Sequence, residues 1–270
     1  MREVIGFDCG GDRLAATLDH AKGRSGLLIV SGGNEIRVGA HRGMARLAQR
    51  IAAAGYPVLR YDRRGIGDSD GDNRGFLNGA DDMAAAARMF RQALPVERIV
   101  GFGNCDAATA LALFHQRAGI DALLLANPWV VEGDTDLPPP AAIRARYAER
   151  LRDPRQWLRL ARGGVNIGKI VKGLAKSVKP SGESGSLADD LARALASSNI
   201  PTTILLAKRD NTAIAFRAAF QQSGFAALHG RAETAVRDTA SHSFAREGDA
   251  DWLFDRVIET LAATSERIRR

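Results

Sequence analysis

The chain has 270 residues, 45% of them apolar, which is enough to bury a full core within one large domain. It contains no run of about twenty uninterrupted apolar residues, which excludes an ordinary membrane-spanning helix. The net charge of +7 and pI near 9.9 admit an anionic partner, whether nucleic acid, lipid or small molecule, so the position of that charge decides among them. Residues 1–8 lack the apolar stretch and small-residue cleavage site of a secretory signal, so a cytoplasmic location is expected. Cys9 and Cys105 are far apart and few, and both are expected as free thiols.

Residues 3–9 alternate apolar and polar, Gly10 and Gly11 offer a turn, and residues 13–18 resume a strand; the chain is expected to open on a hairpin. Leu27, Leu28, Ile29 and Val30 then run into Ser31, Gly32 and Gly33, the pattern of a strand buried on both faces that leaves its sheet at a turn. Met44, Leu47, Ala48 and Ile51 stand at helical spacing, with Gly55 to stop the helix. The unit recurs as strand 57–61, helix 81–94, strand 98–102, helix 107–118 and strand 122–126. After an interruption come strand 203–207, helix 213–222, a weaker strand 233–237 and a closing helix 252–263. This alternation implies an α/β fold: a mostly parallel, doubly wound sheet covered on both faces, fronted by an antiparallel hairpin.

The interruption, residues 131–198, reads as a helical insertion over a core made of 1–130 and 199–270. Residues 141–180 hold eleven Lys or Arg against Glu149 and Asp153, so this stretch carries +9, more than the whole chain. Arg144 and Trp157 are the candidate substrate contacts in this basic lid. Arginines there suit the phosphates of a CoA-linked acyl substrate or another anionic small molecule. Docking on anionic lipid is an alternative, and so is a plain solvated face. Nucleic acid is not expected, since the charge is confined to the insertion and only Tyr147 and Trp157 offer stacking. Nothing in the pattern calls for a metal or a cofactor, and the oligomeric state is left open.

The chemistry is read from the strand that runs into Gly103, Asn104, Cys105, Asp106 and Ala107 before a helix. A nucleophile on a tight strand-to-helix turn needs small residues two positions away on either side, because larger ones would meet neighbouring backbone. At a helix N-terminus a sulfur is favoured as thiolate. A free cysteine after a strand is also commonly a small apolar core residue, so the surrounding residues matter. Asp210 follows the strand 203–207 and His242 lies in a small-residue loop before the last helix, giving the order nucleophile, acid, histidine. Asp238 and Glu132 are weaker acids for that role, and His229 is the nearest rival to His242. His20 and His115 read as structural, while His41 is a possible substrate contact. The oxyanion hole is expected from the amide of Asp106 and a second amide in the glycine loop, from Gly33 or Asn34.

Asp62, Arg64, Gly65, Gly67 and Ser69 match the Asp-x-Arg-Gly-x-Gly-x-Ser segment of α/β-hydrolases, read here as a structural loop. With the elbow, the glycine loop, Asp210 and His242, the resemblance to that superfamily spans nearly the whole chain. More narrowly, residues 31–42 with 103–107 resemble the exosortase A system-associated hydrolase, type one. That resemblance implies a hydrolase without naming its substrate. A cysteine at the elbow is also similar to dienelactone hydrolases and polyhydroxyalkanoate synthases, and it implies a Cys–His–Asp triad working through an acyl-cysteine. Hydrolysis of an ester, lactone or thioester is the first expectation. Acyl transfer to a hydroxyl, such as that of a saccharide, and an inert binding module are the alternatives. Ala107, where many relatives carry glycine, is a mild departure.

Overall fold

A computed structural model describes residues 1–131 and 186–267. Strands β1 (Arg2–Cys9), β2 (Asp12–Asp19), β3 (Ser25–Val30), β4 (Val58–Tyr61), β5 (Arg98–Asn104), β6 (Ala122–Ala126), β7 (Thr202–Ala207) and β8 (Glu233–Arg237) form one eight-stranded sheet in the order β1-β2-β4-β3-β5-β6-β7-β8. β2 is antiparallel to both β1 and β4, and β3 to β8 run parallel. The opening hairpin and the parallel sheet are those the alternation implies. β3 and β6 are buried at every residue, which is why residues 27–30 and 122–126 read as unbroken apolar runs rather than alternating ones.

Among the described residues six helices cover the two faces. α1 (Gly43–Ala53) and α6 (Asp249–Glu266) pack Leu47, Ile51, Leu253, Val257 and Leu261 onto one face. α2 (Ala80–Ala93), α3 (Asp106–Ala118), α4 (Leu187–Ala196) and α5 (Asn211–Phe220) contribute Met83, Phe90, Leu111, Leu191, Leu195 and Phe216 to the core on the other. The amphipathic helix closing the interval 131–198 thus buries its apolar stripe in the main core. The candidate contacts Arg144 and Trp157, and the alternative acid Glu132, lie outside the described residues. Among the described residues no helix is long and apolar enough to cross a membrane.

Two boundaries differ from the spacing in an informative way. β5 runs to Asn104, carrying the strand to the foot of the elbow. α5 begins at Asn211 because the Asp210 carboxylate accepts the N–H groups of Thr212 and Ala213 and caps the helix.

The loop after β4 is structural, as read from its residues. Asp62 is fully buried, accepts the Arg37 N–H at 2.5 Å and the Asp68 N–H at 3.1 Å, and pairs with the Arg37 guanidinium. Ser69 Oγ donates to the Asp62 carbonyl at 2.8 Å and accepts the Ala15 N–H at 2.9 Å, pinning the loop to β2. Gly67 is required because a Cβ there would lie 2.3 Å from Asp62 Oδ2. Asp62→Ala takes the acceptor from two amides and leaves the Arg37 cation only the exposed Asp68 carboxylate, at 2.9 Å, and is expected to cost about 1–3 kcal/mol. The loss reads as a lower urea midpoint, with turnover per folded molecule unchanged.

Candidate active site

β5 lies between β3 and β6, and its last residues sit at the C-terminal ends of the parallel strands. The chain then turns abruptly: Cys105 has φ 60° and ψ −126°, a left-handed conformation that a side chain rarely takes, and α3 starts at the next residue. The turn is held on all sides. The Cys105 N–H donates to Ala126 O at 2.9 Å, and the Cys105 carbonyl accepts from Ala108, Thr109 and Trp129 at 3.1, 3.3 and 3.2 Å. Gly103 is obligatory, since a Cβ there would come within 2.7 Å of the Ala107 carbonyl. Ala107 is itself buried, which accounts for a small residue at that position.

The fold brings Asp210 and His242 together. His242 Nδ1 lies 3.1 Å from Asp210 Oδ2, the same oxygen that accepts Thr212 N–H at 3.0 Å and Ala213 N–H at 3.1 Å. Burial works to raise the Asp210 carboxyl, but the hydrogen bond and charge of His242 and the two helix amides outweigh it and hold the group below its ordinary range. For His242, burial opposes the charged ring. Hydrogen bonds and charge from Asp210 and Cys105 overcome it, and the imidazole is pushed up to about 10. The histidine loop is anchored by Phe244, buried at φ 52° and stacked on Trp252 with ring centroids 5.4 Å apart.

The glycine loop holds a surprise. The Gly33 N–H, expected to face an oxyanion, is taken by the Asp106 carboxylate at 2.7 and 2.9 Å, and the Arg63 guanidinium grips the Gly33 carbonyl. As the chain stands, the Gly33 amide is filled by a resident anion. The N–H groups of Asp106 and Asn34 carry no hydrogen bond among the described residues. The Asn34 side chain accepts from Asn73 at 3.0 Å.

Cys105, Asp106, His242, Gly33 and Asn34 line one cavity of about 1030 Å³, whose wall includes Phe76, Leu77, Trp129, Val131 and Leu187. The charged side chains on the described wall are the carboxylates Glu35, Asp106 and Asp190 together with His242. The sequence pattern does not reveal the apolar lining residues, because Phe76 and Leu77 sit on a single 3₁₀ turn and Trp129 in a loop, too short for periodicity. The rival groups are engaged elsewhere. Asp238 pairs with Arg209 at 3.1 Å, His229 with the Phe220 carbonyl at 2.8 Å, His20 with Glu3 at 2.9 Å and His115 with the Ala112 carbonyl at 2.8 Å. His41 is exposed and not among the lining residues. Cys9 is buried on β1 beside Asp82 and Arg64, where burial raises its thiol above the ordinary range.

The sheet order, the elbow and the acid–histidine pair at the strand ends define an enzyme of the α/β-hydrolase type. The chain belongs to the family described as serine aminopeptidase, S33, whose model matches residues 22–251. The family description names a serine, whereas the elbow of this chain carries Cys105. Among solved structures it is similar to the alpha/beta hydrolase GrgF from Penicillium sp. sh18, at 18% identity over 98% of this chain and 99% of that one, with a TM-score of 0.66. It is also similar to the esterase PF2001 of Pyrococcus furiosus, at 16% identity over 97% and 91% with a TM-score of 0.65. A thioesterase domain from the curacin biosynthetic pathway aligns at 15% identity over 96% and 99%, with a TM-score of 0.60. At these identities the likeness is one of fold. No curated protein matches the sequence.

The raised His242 value has a definite sign. Its folded value of about 10 exceeds the ordinary 6.5, so the stability from its charge is complete below about pH 6.5 and is lost as pH rises toward 10. NMR of the ring protons is expected to show His242 still charged at neutral pH. Asp210→Asn is expected to bring the midpoint down toward the ordinary value and to flatten the fall of Tm with rising pH.

Proposed function

We propose that this enzyme hydrolyses carboxylic esters or thioesters through an acyl intermediate on Cys105, with His242 as proton carrier and Asp210 as its orienting acid. The observation that carries this reading is the thiol on a strained elbow, beside an imidazole whose far nitrogen is fixed by a helix-capping carboxylate. The sulfur of Cys105, its proton passed to His242, attacks the substrate carbonyl carbon, and the C–S bond forms as the carbonyl π pair moves onto oxygen. The tetrahedral oxyanion takes the Asp106 N–H and an amide of the glycine loop. As the C–O or C–S bond to the leaving group breaks, the imidazolium of His242 gives that group its proton. Water then loses a proton to His242 and attacks the thioester, and the carboxylic acid departs as Cys105 is released.

Two further points support the substrate class. The described cavity wall beside Cys105 is largely apolar, which suits an acyl chain more than a charged one. Solved structures of similar fold include an esterase and a thioesterase domain. A thiolate leaves as readily as it attacks, so esters and thioesters are favoured over amides. The narrower resemblance to exosortase A system-associated hydrolases is in keeping with this reading and adds no substrate. The acyl-transfer alternative, with its CoA-linked donor, rests on the basic residues of 141–180 alone, and the same holds for contact with a membrane surface. A small acyl compound in the cytoplasm is the partner proposed.

Cys105→Ala is expected to lower turnover of p-nitrophenyl esters and acyl thioesters at least about 10³-fold, while Cys105→Ser keeps a fraction. Intact-mass analysis during turnover should find the acyl group on the peptide that holds Cys105. Undiminished turnover in Cys105→Ala, or a Cys105 inert to iodoacetamide at neutral pH, would overturn the reading.

The Asp106 carboxylate on Gly33 generates a separate prediction. Asp106→Ala keeps the backbone amide and frees the Gly33 N–H, so kcat/KM for a neutral ester is expected to rise severalfold. The same change removes a negative charge from the first turn of α3 and should lower stability by about 0.3–1 kcal/mol. Steady-state kinetics and thermal unfolding of the one variant read both effects.

A further inference from the structure

Asn127, the first residue after β6, lies outside the roles assigned so far. It is fully buried, holds a left-handed φ of 42° and precedes Pro128. Its own N–H continues the sheet to Leu205 O at 2.8 Å. Its side-chain amide does something else. Oδ1 accepts the Ala207 N–H at 2.8 Å, while Nδ2 donates to Asn104 Oδ1 at 3.1 Å and to the His242 carbonyl at 2.9 Å. Which end of the amide is which follows from partners of fixed sense: Ala207 N–H can only donate and the His242 carbonyl can only accept.

Each of those bonds ends next to a different member of the site. Asn104 immediately precedes Cys105. The third bond is to His242 itself. Ala207 ends β7, and its carbonyl accepts the Asp210 N–H at 2.9 Å, closing the turn that presents the acid. One uncharged group thus ties the ends of β5 and β7 and the histidine loop to the end of β6. The geometry points to Asn127 as the positioning residue that sets His242 between Cys105 and Asp210, an inference that rests on the hydrolase reading above.

The chemistry of the position is narrow. It demands two donors and one acceptor without charge, in a side chain short enough for a buried corner and tolerant of a left-handed backbone. Asparagine meets each demand. Aspartate has the same shape but would turn an oxygen toward two acceptors, the His242 carbonyl and Asn104 Oδ1. A residue that served only to seal the core would have no need of the two bonds that cross to Asn104 and the histidine loop.

The test compares wild type with Asn127→Gly, which suits the left-handed backbone and deletes the amide, and Asn127→Asp, which keeps the shape and reverses the donors. Circular dichroism first establishes the folded fraction, and Cys105→Ala in the same assay establishes whether turnover depends on the thiol. With folded protein, kcat on a p-nitrophenyl ester is expected to fall at least about tenfold while KM stays within about twofold. Iodoacetamide labelling of Cys105, quantified by mass spectrometry, is expected to slow at neutral pH and to shift its pH profile upward as the imidazole loses its place. Formamide should restore part of the kcat of Asn127→Gly. Where a buried carboxylate keeps Asn127→Asp from folding, Asn127→Gly alone carries the decision. Folded Asn127→Gly with wild-type kcat and an unshifted labelling profile overturns the proposal even though turnover requires Cys105. Turnover in Cys105→Ala would instead sink the hydrolase reading, leaving the labelling profile to decide whether Asn127 positions the ring.

Discussion

The site depends on a backbone held where it would not rest by itself. A non-glycine residue at φ 60° and ψ −126° costs on the order of 1–3 kcal/mol, and it persists only if its surroundings over-determine it. Here they do. β5 is fixed on both edges by β3 and β6, the Cys105 N–H and carbonyl are both engaged, and α3 packs Ala107, Ala108 and Leu111 into the core directly behind the turn. The strain therefore falls on a rigid part of the molecule. What the fold gains is a sulfur lifted clear of the sheet at a helix N-terminus.

That lifted sulfur changes what the acid and histidine are for. A serine hydroxyl is neutral at rest, so its histidine waits uncharged and takes a proton during the reaction. The forces on His242 favour a charged ring, with Asp210 on one side and Cys105 on the other. Asp210 is suited to this arrangement because α5 stabilises its negative charge through two amides on the very oxygen that meets the ring. A helix cap and the proposed orienting acid are one side chain here, and the orientation of the imidazole is inherited from the start of a helix.

Much of this was legible in the residues, for physical reasons. Strands buried on both faces must be unbroken apolar runs, so residues 27–30 and 122–126 declared themselves. The elbow declared itself because close packing of strand on helix admits only small residues at 103 and 107. The order Cys105, Asp210, His242 supplied the rest of the proposed triad. What stayed hidden depends on contacts between distant segments. The Asp106 carboxylate reaches Gly33 across the gap between two loops, and a bare sequence offers Asp106 only as a helix-start acid. Asn127 ahead of Pro128 reads as an ordinary turn signal, since nothing local marks an amide that faces three other segments. The spacing starts α5 two residues late for a related reason: one oxygen of Asp210 accepts two helix amides as well as meeting the His242 ring, and the pattern suggests only the ring.

The proposed oxyanion site adds a constraint of its own. The Gly33 amide now faces the Asp106 carboxylate, and the same amide cannot also serve a second anion. A neutral carbonyl competes poorly for a donor already charge-assisted, whereas the full charge of a tetrahedral intermediate competes far better. The exchange would therefore come as the carbon–sulfur bond forms, with the Asp106 side chain turning away while its own backbone N–H stays in place. Such an arrangement discriminates by how much negative charge the carbonyl oxygen develops rather than by how tightly the ground state binds. It would weaken the response to unreactive carbonyl compounds that fill the apolar cavity, and spare the activated esters and thioesters that a thiolate handles best.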